Sequence, residues 1–177
     1  MLSILEEIQK QDVPYLLYGE SAGGTLAAGL ALWTRDHETK PANGQCLIYP
    51  VLDNRCSRYA SMRLYSEAAW PLKNNLTMWR AYLKNGKDSL DNYIVPMTAP
   101  DESSLSPAYV EPQQIDRDEA IAYAKRLEEA GNHVTLNTIS RVPTMVLMRI
   151  SETPLYRKLC STIWAISPPM SPVNTKL

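Results

Sequence analysis

The sequence predicts an α/β fold, with a mainly parallel sheet of about four strands flanked by helices. Three observations carry that expectation. Short apolar runs alternate with longer stretches of helical period, strand then helix, from one end of the chain to the other. The first run, Tyr15 to Tyr18, is apolar on both faces, as a strand in a parallel sheet covered by helices should be. That run leads straight into Gly19-Glu20-Ser21-Ala22-Gly23-Gly24, a turn of small residues that opens a Gly/Ala-rich helical stretch.

Each element can be justified in order. Residues 2–10 pattern as a helix, with Leu2, Leu5 and Ile8 on one side and Glu6, Glu7 and Lys10 on the other, and Asp12-Val13-Pro14 breaks it. Tyr15 to Tyr18 is the first strand, and the helix after the glycine turn runs over about 22–34. Arg35 to Pro41 is a charged loop, and Gln45 to Tyr49 is a second buried strand stopped by Pro50. Residues 51–75 are polar and irregular, an excursion over the upper edge of the sheet. Leu76 to Leu83 reads as a helix with Trp79 and Tyr82 as packing residues. After a loop from Pro96 to Pro107, Ala108-Tyr109-Val110 forms a short third strand. Residues 117–130 make the clearest helix: Ala120, Ile121, Tyr123, Ala124, Leu127 and Ala130 form a wide apolar stripe that Gly131-Asn132 ends. His133 to Ile139 alternates as a fourth strand. Leu155 to Ile166 is a final helix, and the Pro-rich residues 167–177 are expected to be a disordered tail, leaving 1–166 as one domain.

Composition narrows the function. A chain of 177 residues can bury a real core, and its net charge of −1 offers no basis for a nucleic-acid or anionic-membrane partner. Cys46, Cys56 and Cys160 are odd in number and lack C-x-x-C spacing, so they read as buried thiols in a reducing, cytoplasmic setting. The two histidines, His37 and His133, lie near no cysteine, so neither a metal nor another cofactor is expected. The start of the chain has acids inside its apolar patch and no basic lead, unlike a signal peptide, and no run approaches membrane-spanning length.

The glycine turn carries the chemistry. A G-x-S-x-G sequence between a buried strand and a helix is the setting of a nucleophile elbow. The bend is tight, so glycine is needed two residues before and two after the serine. Ser21 Oγ is then held out at the top of the sheet, facing the free N–H groups and positive end of the next helix. A phosphate loop would need a lysine after its last glycine, whereas Gly24 runs into Thr25.

Three stretches together resemble the α/β-hydrolase family, specifically its hormone-sensitive-lipase-like carboxylesterase branch. They are the elbow at 19–24, the segment Leu47-Ile48-Tyr49-Pro50-Val51-Leu52-Asp53, and Leu105-Ser106-Pro107-Ala108-Tyr109-Val110-Glu111 through Arg117-Asp118-Glu119-Ala120-Ile121-Ala122-Tyr123-Ala124. The last is similar to the family's P-A-Y-V-E-T-A-E-F-D-x-L-R-D-E-G-I-x-Y-A block. The resemblance implies hydrolysis of a small acyl ester through a Ser-acid-His triad. Ser21 matches the nucleophile, the backbone N–H of Ala22 one oxyanion donor, and Asp116 the acid.

The sequence also departs from the family pattern. Eighteen residues precede the elbow at Gly19, so the upstream H-G-G-G oxyanion loop and the earlier strands are expected to be missing. Loss of such donors costs roughly 10²–10³ in rate. The acid loop is two residues shorter than the family block, and Asp116-Arg117-Asp118-Glu119 also fits a capping box, so Asp116 reads either as triad acid or as helix cap. The family's histidine is absent, since residues 134–177 contain none. His37 and His133 fall at the opposite ends of the helices and strands from Ser21, as surface-loop residues. Two functions therefore compete: an esterase on short acyl esters, and an inactive remnant or binding module of the same fold. Without earlier strands beside it, Tyr15 to Tyr18 would be an exposed apolar edge, so the chain is expected to aggregate, to form a homo-oligomer through that edge, or to need a complementing fragment.

Overall fold

Four parallel strands lie side by side in chain order: β1 (Leu16–Glu20), β2 (Gly44–Ile48), β3 (Ala108–Glu111) and β4 (Val134–Leu136). The register pairs Glu20 with Ile48, Ile48 with Glu111 and Val110 with Leu136, so the strands end together at one edge. This is the sheet that the alternation of apolar runs predicts. The computed structural model describes residues 2–11, 13–65, 70–83 and 91–138. The predicted helix from Leu155 and the tail at 167–177 lie outside those residues, as does Cys160.

The helix α1 (Leu2–Lys10) precedes the sheet, held by Gln9, whose amide donates to the Lys40 carbonyl at 2.8 Å. The helices α2 (Ala22–Asp36) and α5 (Arg117–Glu129) each cross over between neighbouring parallel strands. Right-handed crossovers between adjacent strands place both helices on the same face of the sheet. Their small or apolar stripes meet it there: Ala27, Ala28, Ala31 and Leu32 from α2, and Ala120, Tyr123, Ala124 and Leu127 from α5, close over Leu17, Leu47 and Val110. Burying a Leu or Val side chain here contributes about 1.5–3 kcal/mol each. The other face carries a small cluster of Cys46, Ile48, Tyr49 and Tyr109.

The segment between β2 and β3 is more regular than its composition predicts. A turn of 3₁₀ helix spans Cys56–Arg58, followed by α3 (Ala60–Leu64). The next helix, α4 (Leu72–Tyr82), starts four residues before the predicted Leu76, just after Pro71. Proline has no N–H to lose and favours a helix start, so Pro71 was the usable signal. Val51, Cys56, Tyr59, Met62, Trp79, Leu83, Val95 and Ile115 form a second apolar cluster beneath these helices. Trp79 packs as expected, while Tyr82 is exposed on one side with its ring edge-on to Trp79 at 6.0 Å. Cys46 and Cys56 are buried thiols outside any disulfide, and burial pushes the Cys56 thiol up to about 11. No helix among the described residues is long and apolar enough to cross a membrane.

Candidate active site

Ser21 stands between β1 and α2 with φ 52° and ψ −121°. A non-glycine residue with positive φ costs about 1–3 kcal/mol and persists only where its surroundings hold it there. Here they do. Ser21 N–H donates to Ile48 O at 3.0 Å, and its carbonyl accepts from Gly24 N at 2.9 Å and Val51 N at 3.2 Å. A Cβ on Gly19 would lie 2.0 Å from Gly23 O, and one on Gly24 would lie 2.6 Å from Pro50 Cβ. The glycine requirement therefore falls on Gly19 and Gly24. A Cβ on Gly23 would meet nothing within 4 Å, so the expectation that the bend demands glycine two residues after the serine is corrected: Gly23 is tolerated, not required. Ser21 and Ala22 are both exposed, with the open N-terminus of α2 beside them.

The segment leaving β2 supports the elbow from the neighbouring strand. Tyr49, at φ 35°, pairs with Glu111 O at 2.6 Å and donates its hydroxyl to Glu20 Oε2 at 2.5 Å. Burial and the bond to Glu20 raise the Tyr49 hydroxyl well above its ordinary value. Thr25 Oγ1 donates to Val51 O. Glu119 Oε1 accepts from Leu52 N and, at 2.6 Å, from Asp53 N. The Asp53 carboxylate is gripped by Arg55 (Nε at 2.8 Å) and by Tyr59 OH at 2.9 Å. Burial favours its neutral form, but these bonds outweigh burial and hold its carboxyl below the usual range. Sequence reasoning missed Tyr49, Thr25 and Glu119. The likeness of residues 47–53 to the family segment marked the place without showing what it does.

Asp116 follows β3 at the same edge of the sheet. Its Oδ1 accepts from Gln113 N at 3.0 Å, while Oδ2 has no partner among the described residues. Burial drives its carboxyl up to about 8, against the lowering effect of the Gln113 bond. The capping-box alternative is overturned. Asp116 occupies the position before α5, yet its side chain makes no cap bond. The bonds that a box would make go elsewhere: Asp118 N donates to Ser61 Oγ at 3.2 Å, Ser61 N donates back to Asp118 Oδ2 at 2.8 Å, and Glu119 reaches the 52–53 backbone. Tertiary partners on α3 and the β2 exit outcompete the local ones.

The histidines sit at the opposite edge. His37 ends α2, stacked on Trp33 at 4.2 Å with Nδ1 2.9 Å from Trp33 O. A helix of 15 residues carries it about 22 Å from Ser21 at 1.5 Å per residue. His133 is exposed, and its carbonyl accepts from Ala108 N, at the start of β3. Among the described residues no cluster of His, Cys, Asp and Glu has the makings of a metal site.

Comparison with known proteins agrees with this geometry. The family described as alpha/beta hydrolase fold matches residues 4–146. The chain is 32% identical over 127 residues to an ethyl acetate hydrolase of Pseudomonas putida, covering 70% of this chain and 40% of that protein. It is 34% identical over 134 residues to the carboxylesterase NlhH of Mycobacterium tuberculosis, covering 72% and 41%. Among solved structures, a bacterial heroin esterase superposes with a TM-score of 0.75 at 28% identity, over 94% of this chain and 56% of that one. The chain thus spans under half the length of the two curated relatives named. An elbow bent at a positive-φ serine, a sheet of matching topology and these relatives agree: the chain belongs to the α/β-hydrolase family, on its carboxylesterase branch.

Proposed function

We propose that the chain carries the nucleophile and acid of a carboxylic ester hydrolase acting on small acyl esters. Ser21 Oγ attacks the ester carbonyl carbon, the Ala22 N–H donates to the resulting oxyanion, and Asp116 Oδ2 is the acceptor for an imidazolium. The observation that supports this most is the backbone of Ser21, held at φ 52° against its own preference at the mouth of a helix. The substrate class rests on relatives named as ethyl acetate hydrolase and carboxylesterase.

The placement of the imidazoles supports a second reading for these 177 residues taken alone. With His37 and His133 at the far edge, no imidazole among the described residues takes the proton from Ser21, and a serine without a base is a weak nucleophile. Turnover is then lower than that of a complete triad by about 10⁴–10⁶, and the fold serves as a binding module. Hydrolysis of p-nitrophenyl acetate and butyrate by the native chain and by Ser21→Ala separates the two. A rapid rate that vanishes with Ser21 supports the hydrolase; equal background rates support the inactive module.

Two further readings accompany this one. β1 is the last strand of the sheet among the described residues, with Leu16 exposed, and an apolar strand at the edge of a sheet favours pairing with a second copy. Size-exclusion chromatography should show a dimer or larger species. The buried thiols of Cys46 and Cys56, neither in a disulfide, fit a reducing compartment such as the cytoplasm.

A further inference from the structure

We propose that Glu119 is a positioning residue for the nucleophile, acting with Thr25 through the backbone of residues 51–53 to hold Ser21 in its bent conformation. This rests on Ser21 being the nucleophile. The chain of contacts is short. The Ser21 carbonyl accepts from Val51 N at 3.2 Å, and the carbonyl of the same Val51 accepts from Thr25 Oγ1, one turn into α2. The next two N–H groups, those of Leu52 and Asp53, both donate to one oxygen of Glu119. Leu52 O, in turn, accepts from Met97 N at 3.2 Å. The turn after β2 is thus pinned from the α2 side by Thr25 and from the α5 side by Glu119, and Ser21 hangs from its first residue.

Three features make this more than ordinary packing. Glu119 is fully buried, on a helix whose neighbouring positions are apolar or paired, and burial drives its carboxyl up to about 8. A buried acid is costly unless its bonds do something an apolar side chain cannot. Its bonds go to backbone donors that have no strand partner, since β2 has ended at Ile48. The groups it pins lie one and two residues beyond Val51, which bonds Ser21. A displacement of the nucleophile by about 1 Å is enough to cost 10²-fold in reactivity.

The test compares Glu119→Leu, which removes the acceptor, with Glu119→Gln, which keeps an accepting oxygen. Leu127→Ala, in the α2/α5 core, serves as a control for general destabilisation. Two readouts are taken well below each variant's melting temperature: the rate of covalent labelling of Ser21 by a fluorophosphonate, and hydrogen exchange at the Val51 and Gly24 amides, which both bond Ser21 O. Glu119→Leu should label more slowly by about tenfold or more, and exchange faster at both amides by a similar factor. Glu119→Gln should stay within about threefold of native on both counts, and Leu127→Ala should leave labelling unchanged.

Native labelling and native exchange in Glu119→Leu would overturn the proposal. So would equal slowing in Glu119→Gln, which would assign the effect to charge, or in Leu127→Ala, which would assign it to stability. If the native chain takes no label at all, the nucleophile reading fails, while the exchange readout still decides whether Glu119 holds the bend. Should Glu119→Leu not fold, Thr25→Val against Thr25→Ser asks the same question from the α2 side, with the same expected and overturning results.

Discussion

The elbow and the acid loop leave neighbouring strands at the same edge of the sheet, and they are built in opposite ways. At the elbow, Ser21 N and O are both bonded, Gly19 and Gly24 allow backbones to touch, and strain is confined to one residue. At the acid loop, Asp116 Oδ2 and both amide atoms of Gln113 are buried without partners among the described residues. An unbonded buried polar group costs about 1–3 kcal/mol. The elbow is thus held both by its own glycines and by the residues leaving β2, whereas the acid loop buries polar atoms that find no partner among the described residues. The difference teaches that one sheet edge can hold a tightly bonded bend beside a loop whose buried polar atoms are unpartnered among the described residues.

The sharpest way to break that comparison is at the glycines. Gly19→Ala drives a methyl into Gly23 O at 2.0 Å, and the backbone on both sides leaves no room to relax. The expected loss is about 3 kcal/mol in chemical denaturation, with no fluorophosphonate labelling of Ser21. Gly23→Ala places its methyl in open space within α2 and should be neutral, or stabilising by up to about 1 kcal/mol. Equal losses from the two would show that the elbow is not held by the contacts described.

How much of this was legible in the sequence follows the same line. The bend from β1 through Ser21 into α2 could be read because its marks are local, Gly19, Gly24 and the small residues of the helix, although partners beyond β2 also hold it. The stripe of α5 was equally plain, since Ala120, Tyr123, Ala124 and Leu127 repeat at helical spacing. What escaped depends on distant partners. The short helices at 56–64 are organised by Asp53 gripping Arg55 and Tyr59, and by Ser61 exchanging bonds with Asp118. Nothing in residues 51–75 announces those pairings. The capping box at 116–119 looked complete by spacing alone. It failed because Glu119 found the two N–H groups beyond β2 instead.

A smaller effect separates the two regions by pH. Burial holds Asp116 and Glu119 at about 8, above the ordinary carboxylate values of 3.8 and 4.5 they take when unfolded. The folded state therefore binds protons that the unfolded state has released. Stability from these groups is fully present below about pH 4 and falls as pH rises through about 8, by at most about 1.4 kcal/mol per pH unit for each group. Asp116→Asn keeps an acceptor for Gln113 N but cannot ionise. Urea midpoints measured from pH 4 to 9 should fall about half as steeply in this variant. An unchanged slope would mean that the acid loop does not hold a desolvated carboxyl, and the contrast with the elbow would lose its electrostatic half.

The smallest effects are expected at the imidazoles, and they test whether both halves of the site stand apart from the far edge. His37 stacks on Trp33 and lies 6.1 Å from the Tyr93 ring, so His37→Ala should cost about 0.5–1.5 kcal/mol of stability through lost stacking. His133 is exposed, and His133→Gln should stay within about 0.5 kcal/mol. Neither change should alter whatever Ser21-dependent hydrolysis of p-nitrophenyl acetate the native chain shows, because neither ring lies on the edge where the serine hydroxyl emerges. A stability loss and a rate loss are separable here, since assays below the melting temperature of His37→Ala report only the folded protein. If either variant lowers the serine-dependent rate by about tenfold under those conditions, an imidazole reaches Ser21 after all. The separation of the sheet into a reactive edge and a merely structural one would then have to be abandoned.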